Sequence, residues 1–448
     1  MGSEHKAVTL DELCEFRAGV AFPHRFQGRS RGEFPFLKVS DLSRPGNELF
    51  IVGAENSVDT QAAAELRGRP VPAGSVIFAK IGEAIRHNRK RLTKRPILLD
   101  NNLMAAVPRE GVEPRFLYYL LCTLNFEELI EGSALPYLKA SALGRIELEL
   151  PPLPLQRRIA DILGTLDERI ELTRQLNLTL EALASTLFQS WFVDFYPVVA
   201  KSEGHPPLGM GDEVAALFPD DFAMTNEGPV PSGWRWGTLG DVARQFREVV
   251  DPGQLEGSTP YIGLEHMPQR SIALSQWGTA TEVQSPKCRF RAGNLLFGKL
   301  RPYFHKVGIA PVDGVCSTDI VVVEPTDPAF YSLVLGHLSS VEFVSFTDSG
   351  SDGTRMPRTS WERMARYPIA LPDPRCAEAL NRLMRPLLDK LHANVQEGRT
   401  LAALRDLLLP QLLSGELELP DAQPSQGHSE RLPPVLAERD RVAYPQDP

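Results

Sequence analysis

The sequence has little of what cofactor, metal or disulfide chemistry needs. Five cysteines, Cys14, Cys122, Cys288, Cys316 and Cys376, stand singly in 448 residues, with no CxxC pair among them. That scatter argues against a structural zinc or a disulfide framework and points to a reducing compartment, the cytoplasm. No two of the nine histidines sit at metal-ligand spacing. No apolar run approaches the ~18 residues a membrane span requires, and the opening MGSEHKAVTLDEL lacks a secretory apolar segment. The Pro-Asp followed by acid-x-Lys of metal-dependent nucleases is missing. So are an Asn/Asp-Pro-Pro-aromatic signature and a Gly-rich methyl-donor loop. GNLLFGK at 293–299 matches the start of a phosphate loop, but Leu300 follows where Ser or Thr would ligand magnesium. Its interior, Leu-Leu-Phe, reads as a buried strand. These absences predict a chain that binds and assembles rather than one that catalyses.

What is present is a folded soluble protein's composition, 42% hydrophobic and 23% charged, in a chain long enough for roughly two to four domains. The net charge of −9 weighs against indiscriminate coating of nucleic acid. The charge is uneven, however. RHNRKRLTKR at 86–95 holds six Lys/Arg and no acid, and Arg25, Arg29 and Arg31 form a smaller basic group. Acid collects at 202–228 and after Gly415. A basic loop merely in solvent and a nucleic-acid contact are both compatible with the 86–95 run.

The chain repeats itself. AGSVIFAKI at 73–81 echoes AGNLLFGKL at 292–300. Gly132 set against Gly353 gives an offset of 221 that holds, without a gap, to about Asp194 and Gly415. Along it Ile159 meets Leu380, Leu163 meets Met384, Leu166 meets Leu387, Ile170 meets Leu391, Leu180 meets Leu401 and Leu187 meets Leu408. Earlier landmarks follow with small gaps, including PRFLYYL from Pro114 with PAFYSLV from Pro328. A repeat this long is a duplicated domain, since solenoid units run ~20–50 residues.

Each copy begins with short β-type runs broken by Gly and Pro, encloses a helical segment, then passes a Pro-rich stop (LPPLP or LPDP) into a long helix. The spacing predicts these helices over about 155–195 and 375–413. Their apolar residues fall at 4-3 intervals, the seam of a coiled coil. Thr173, Asn177 and Asn394 interrupt the seams, where a buried polar residue can fix register. An antiparallel pairing lets the acidic linker close a short distance. The expected fold is therefore α+β: two repeated α/β recognition domains (1–151 and 233–372), helices at 152–195 and 373–415 in an antiparallel coiled coil with pseudo-two-fold symmetry, a linker at 196–232, and a tail at 416–448 expected to be disordered. Helices of this length reach ~60 Å at 1.5 Å per residue, more than the ~34–36 Å that separates sites one DNA turn apart.

LPPLPLQRRIADILGTLDERIELTRQLNLTLEALASTLFQSWFVDFYPV from Leu150, with GMGDEVAALFPDDF and GPVPSGWRWGTLGDV downstream, resembles the specificity subunits of type I restriction–modification systems. The resemblance covers almost the whole chain except about the last thirty residues. It implies a non-catalytic subunit with two target-recognition domains, each reading one half of a bipartite double-stranded DNA site. It implies that the helices dock two methyltransferase subunits, which use S-adenosylmethionine, and that two ATP- and magnesium-dependent restriction subunits join for cleavage. No cofactor is expected on this chain. The second junction, LPDPRCAEALNRL, lacks the Gln156-x-x-Ile159 of the first, so the two docking surfaces need not match.

Within this resemblance the candidates for DNA contact are Arg25, Gln27, Arg29, Lys80, Arg86, Arg89, Lys90, Tyr137 and Lys139 in the first domain. In the second they are Lys299, Arg301, His305, Lys306, Arg355 and Arg358. Lys and Arg would hold phosphates, while Arg, Asn or Gln would read base edges. Lys80 and Lys299 share one repeat position, which suits a task common to both halves. The other readings are a coiled-coil scaffold without a DNA role and a stand-alone DNA enzyme.

Overall fold

The computed structural model describes residues 6–132, 135–349, 356–417 and 419. Arg355 and nearly all of the 416–448 tail lie outside the described residues. Strands and helices are mixed, and two helices dominate, Leu153–Phe188 and Pro374–Ser414. Each begins on proline in its first turn, where the missing N–H costs nothing. The first continues through a π-helical turn, Gln189–Val193, that brings Trp191 and Phe192 inward.

The strands of the two halves pair in the same order. In the first half Cys14–Ala18, Leu103–Pro108, Val76–Ala79, Lys90–Thr93 and Phe50–Ile51 lie side by side. In the second the order is Ala243–Phe246, Ile320–Pro325, Leu295–Gly298 and Val307–Ile309, with a parallel bridge from Ile309 to Ala273 at the far edge. Thus VIFA and LLFG, the repeated stretches, are central strands buried at every residue. In each half the strand pair that closes the globule joins its two ends: Lys6–Thr9 with Glu147–Leu150, and Arg235–Thr238 with Pro368–Leu371. The closing strand then delivers the chain into a long helix.

The cores extend beyond the globules. The first gathers Ile77, Phe78, Leu117 and Phe126, and then Ile159 and Leu163 from the first long helix and Leu412 from the end of the second. The second gathers Leu295, Phe297, Leu333 and Phe343 with Leu380 and Met384 from the start of the second helix, and Ala184 and Phe188 from the end of the first. Gly336 permits the last contact, because a Cβ there would lie 2.2 Å from the Phe188 ring. Buried Gln156 is a structural residue: its amide donates to the Pro151 carbonyl (2.9 Å) and its oxygen accepts from the Glu113 N–H (3.0 Å).

The two long helices touch along their middles, in opposite senses. Arg405 meets Asp167 (2.6 Å), Arg169 meets Glu397 (2.7 Å) and Asn394 meets Asn177 (2.8 Å). The apolar seam read from the spacing divides accordingly. Ile159, Leu163, Leu380 and Met384 are buried in the globular cores, and Leu391 in the second. Leu180 and Leu187 border the second core and Leu408 the first. Leu166, Ile170, Leu387 and Leu401 are half-buried. Between the apolar ends the contact is polar, with Thr173, Asn177 and Asn394 all buried.

Five unpaired thiols remain, three of them buried. Burial pushes Cys14 and Cys376 up to about 12 and Cys122 up to about 11, so these thiols stay protonated and unreactive. Among the described residues no single helix is long and apolar enough to cross a membrane.

His337 carries a pH consequence. It is buried edge-on to Phe188 (4.8 Å) and Tyr367 (5.9 Å), and burial pushes its pKa down to about 3. The folded state holds it neutral, whereas the unfolded chain takes up a proton below about 6.5. More protons on the unfolded state mean that stability falls as pH drops from about 6.5 toward 3. His337→Leu is expected to flatten this decline by up to roughly 1.4 kcal/mol per pH unit. Thermal melts of both proteins between pH 7 and pH 4.5 check it; parallel curves would refute the assignment.

Candidate nucleic-acid interface

Each central strand ends in a lysine, and each lysine is held in the same way. The Lys80 N–H donates to the Asn102 carbonyl (2.7 Å), and its own carbonyl accepts from Leu138 N–H (2.9 Å). The Lys299 N–H donates to the Asp319 carbonyl (2.9 Å), and its carbonyl accepts from Thr359 N–H (3.0 Å). One step on, the Gly82 N–H meets the Pro136 carbonyl (2.8 Å), and the Arg301 N–H meets the Pro357 carbonyl (2.7 Å). Matched backbone bonds therefore clamp a strand end against a following loop in both halves. Both lysines are half-buried, with stems against the fold.

Two residues after the lysine the backbone takes a positive φ in both halves. The first half uses Gly82 (φ +88°), which has no Cβ to clash. The second places Arg301 there (φ +51°), at a cost of about 1–3 kcal/mol for a non-glycine residue. The strain leaves a guanidinium beside the clamp, 6.0 Å from the Phe304 ring.

Several neighbouring cations are already paired. Arg86 bonds Glu83 (3.0 Å) and Glu127. Lys139 pairs with Glu131, which also accepts from the Tyr137 hydroxyl (3.3 Å). Arg358 faces Asp319 at 3.3 Å, and Arg25 lies 3.7 Å from Glu65 while covering Phe26. Gln27 accepts from Lys38 (2.8 Å) and donates to the Phe22 carbonyl (3.0 Å). A phosphate would have to displace carboxylates at Arg86, Lys139, Arg358 and Arg25. By contrast, among the described residues Arg29 lies over Phe26 (5.6 Å) with its guanidinium on the Arg25 carbonyl at 3.5 Å, and Arg89 donates to the Ser43 hydroxyl (3.2 Å).

Three candidates read from the sequence belong to the interior. The run at 86–95 is not one solvated loop: Lys90–Thr93 is a strand paired with Val76–Ala79. Its alternation turns Lys90 inward, where the ammonium donates to Asn88 (2.6 Å) and the Leu124 carbonyl (2.8 Å) and sits 4.1 Å from the Phe126 ring. Burial pushes it down to about 8. His305, also buried, faces the Ser339 carbonyl at 2.9 Å, and burial lowers its pKa. The Lys306 ammonium is half-buried on the Leu264 carbonyl (2.6 Å), and burial lowers it too. Sequence reasoning misses Asn102 and Asp319, whose part is played by backbone carbonyls and leaves no side-chain signature. Among the described residues no group of three or more His, Cys, Asp or Glu could hold a metal ion.

Residues 2–182 match the family model described as type I restriction modification DNA specificity domain. Over 409 residues the chain is 24% identical to the type I restriction enzyme MjaIX specificity subunit of Methanocaldococcus jannaschii, covering 87% of this chain and 88% of that one. It is 25% identical over 363 residues to the HindI specificity subunit of Haemophilus influenzae, covering 68% and 78%. The chain is similar to the specificity subunits of type I restriction–modification systems. The crystal structure of a type I specificity subunit from M. genitalium shares the fold, with a TM-score of 0.54, 16% identity and coverage of 94% of this chain and 98% of that one.

The partners of each cation sort its expected effect on binding to duplex DNA. Arg29→Ala and Arg89→Ala should each make the fall of log affinity for duplex DNA with log salt shallower, by roughly 0.9 for each phosphate no longer neutralised. Lys90→Met should leave that slope untouched and change thermal stability instead. Salt titrations of the three variants decide it, and an unchanged slope for both arginine variants would remove them from the interface.

Proposed function

We propose that this chain is the DNA-reading subunit of a type I restriction–modification complex, with two recognition domains that each hold one half of a bipartite target. In this reading residues 1–151 and 233–372 are the domains, 152–195 and 373–415 form an antiparallel coiled coil about a pseudo-two-fold axis, and 196–232 links them. The observation that carries it is the lysine clamp, built twice from the same backbone bonds at equivalent strand ends. A task performed twice on one spacer is what a bipartite site requires. The first helix, 36 residues long, reaches ~54 Å at 1.5 Å per residue, enough for sites ~34–36 Å apart.

Lys80 and Lys299 are assigned to phosphates, the positioning contacts of such an interface. Arg29, Arg89 and Arg301 are assigned with them, and Arg25, Gln27, Arg86, Tyr137, Lys139 and Arg358 contribute once their present partners give way. Two methyltransferase subunits dock on the helices and two restriction subunits complete the assembly. S-adenosylmethionine, ATP and magnesium belong to those partners. Chemistry is assigned to them because the sequence carries no catalytic motif, and the purified chain alone is expected to transfer no labelled methyl group to DNA.

Replacing residues 233–372 by the corresponding segment of another family member is expected to change only one half of the methylated target. Methylome sequencing of cells carrying the hybrid checks this. Simultaneous change of both halves would defeat the two-reader assignment. A scaffold without a DNA role would give no sequence-selective binding even with its partners present.

A further inference from the structure

One buried carboxylate ties three elements together. Asp167, on the first long helix and 5% exposed, accepts a hydrogen bond from the Tyr119 hydroxyl (2.6 Å) on helix Pro114–Thr123 of the first globule. Its other oxygen accepts from the Arg405 guanidinium (2.6 Å) near the end of the second long helix. Burial works against the Arg405 charge, but the bonds to Asp167 and Asp406 outweigh it and raise its pKa. Burial and the adjacent Asp167 charge raise that of Tyr119. Arg405 thus stays charged and Tyr119 stays protonated, as the bonds need.

The matching positions of the second half are apolar, although Glu181 of the first long helix accepts hydrogen bonds there from Ser271 (2.8 Å) and Ala273 (3.1 Å). The repeat offset of 221 carries Asp167 to Leu388 and Arg405 back to Ala184, and the Pro114–Pro328 match carries Tyr119 to Leu333. All three equivalents are apolar and belong to the second core or its border. Apolar contacts are non-directional, so a helix that slips by one turn still finds hydrophobic neighbours. A buried carboxylate held by directed hydrogen bonds does not tolerate slippage, because Asp167 would be left unpaired out of water. The best-attested use of buried polar groups between helices is to fix register.

We propose that the Tyr119–Asp167–Arg405 triad locks the register between the two long helices beside the Asn177–Asn394 bond, and that through it these positioning residues set the permitted spacing between the two DNA half-sites. This rests on the two-reader function above. A slip of one helical turn displaces one helix by ~5.4 Å, more than one base-pair rise of ~3.4 Å. A single wrong register would therefore select a differently spaced target with the same half-site sequences.

The test gives the first half the residues of the second: Tyr119→Leu, Asp167→Leu and Arg405→Ala together, in the full chain assembled with its partner subunits. Removing both partners of a buried ion pair together leaves no unpaired charge behind, so the variant is expected to fold, with a melting temperature that reports any cavity cost. Binding is measured to duplexes that keep both half-sites and vary the spacer by one or two base pairs. The wild type should prefer one spacer by at least about tenfold; the variant should keep both half-sites but show less than about threefold preference. Independently of DNA, spin labels at the exposed positions Leu172 and Leu404 should give a single sharp distance in the wild type and a broadened or split one in the variant. A second variant, Asp167→Asn with Arg405→Gln, keeps directed hydrogen bonds without charge and should retain the wild-type spacer preference and the sharp distance. Unchanged spacer preference and label distance in the apolar variant would overturn the lock, as would equal loss in both variants. A wild type that selects no bipartite target would instead sink the DNA reading, while the label distances still report on the register.

Discussion

The far end of each long helix is packed into the core of the globule that the other helix leaves. Leu412, near the end of the second, is buried with Ile77 and Leu117 of the first half. Phe188, at the end of the first, is buried with Leu333 of the second, in a gap that only Gly336 leaves open. Each globule is consequently gripped by both helices, one arriving and one departing. Rotating one globule relative to the other would strip apolar side chains out of a core, and that cost makes the helix pair a rigid spacer. The position of each lysine clamp is inherited from this exchange.

Similar architecture in the two halves is achieved with different local chemistry. The turn after the clamp lysine is glycine in one half and strained arginine in the other. The joint between globule and helices is a charged knot around Asp167 in one and an apolar patch around Leu388 in the other. Backbone hydrogen bonds are kept where geometry is the requirement, at the clamp. Side chains diverge wherever packing alone suffices.

The long helix at 153–188 is legible in the sequence because a Pro-rich stop marks its start and a 4-3 apolar rhythm runs through it, both local signals. The rhythm expects an end near 195 and the helix runs to Val193, but it leaves unread that the last turn, Gln189–Val193, becomes π-helical as Trp191 and Phe192 are drawn into a core. Lys90 misleads because charge density in a run says nothing about which side of a strand each residue faces; the two-residue period sends Lys90 and Leu92 inward while Arg91 is only half-buried. His305 and Lys306 follow the same pattern, their polar atoms taken by carbonyls of segments 34 and 42 residues away in sequence. Asp167 looks, in sequence, like an ordinary solvent-facing acid on a helix. Its partners lie 48 and 238 residues away, and pairing at that range leaves no mark in a window of neighbouring residues.

The burial of Leu412 among residues from Val8 to Leu163 also bears on how the chain comes into being. A ribosome extending it finishes the first globule's strands some two hundred and fifty residues before it supplies that leucine. Until then the first core has an apolar opening at its helix-facing side, and closing it requires a contact of very long sequence separation, the slow kind. The nascent first half must therefore wait, incompletely sealed, while the second is made. That interval is when the exposed surface is open to chaperones, to proteases or to the wrong copy of the same helix on a neighbouring polysome.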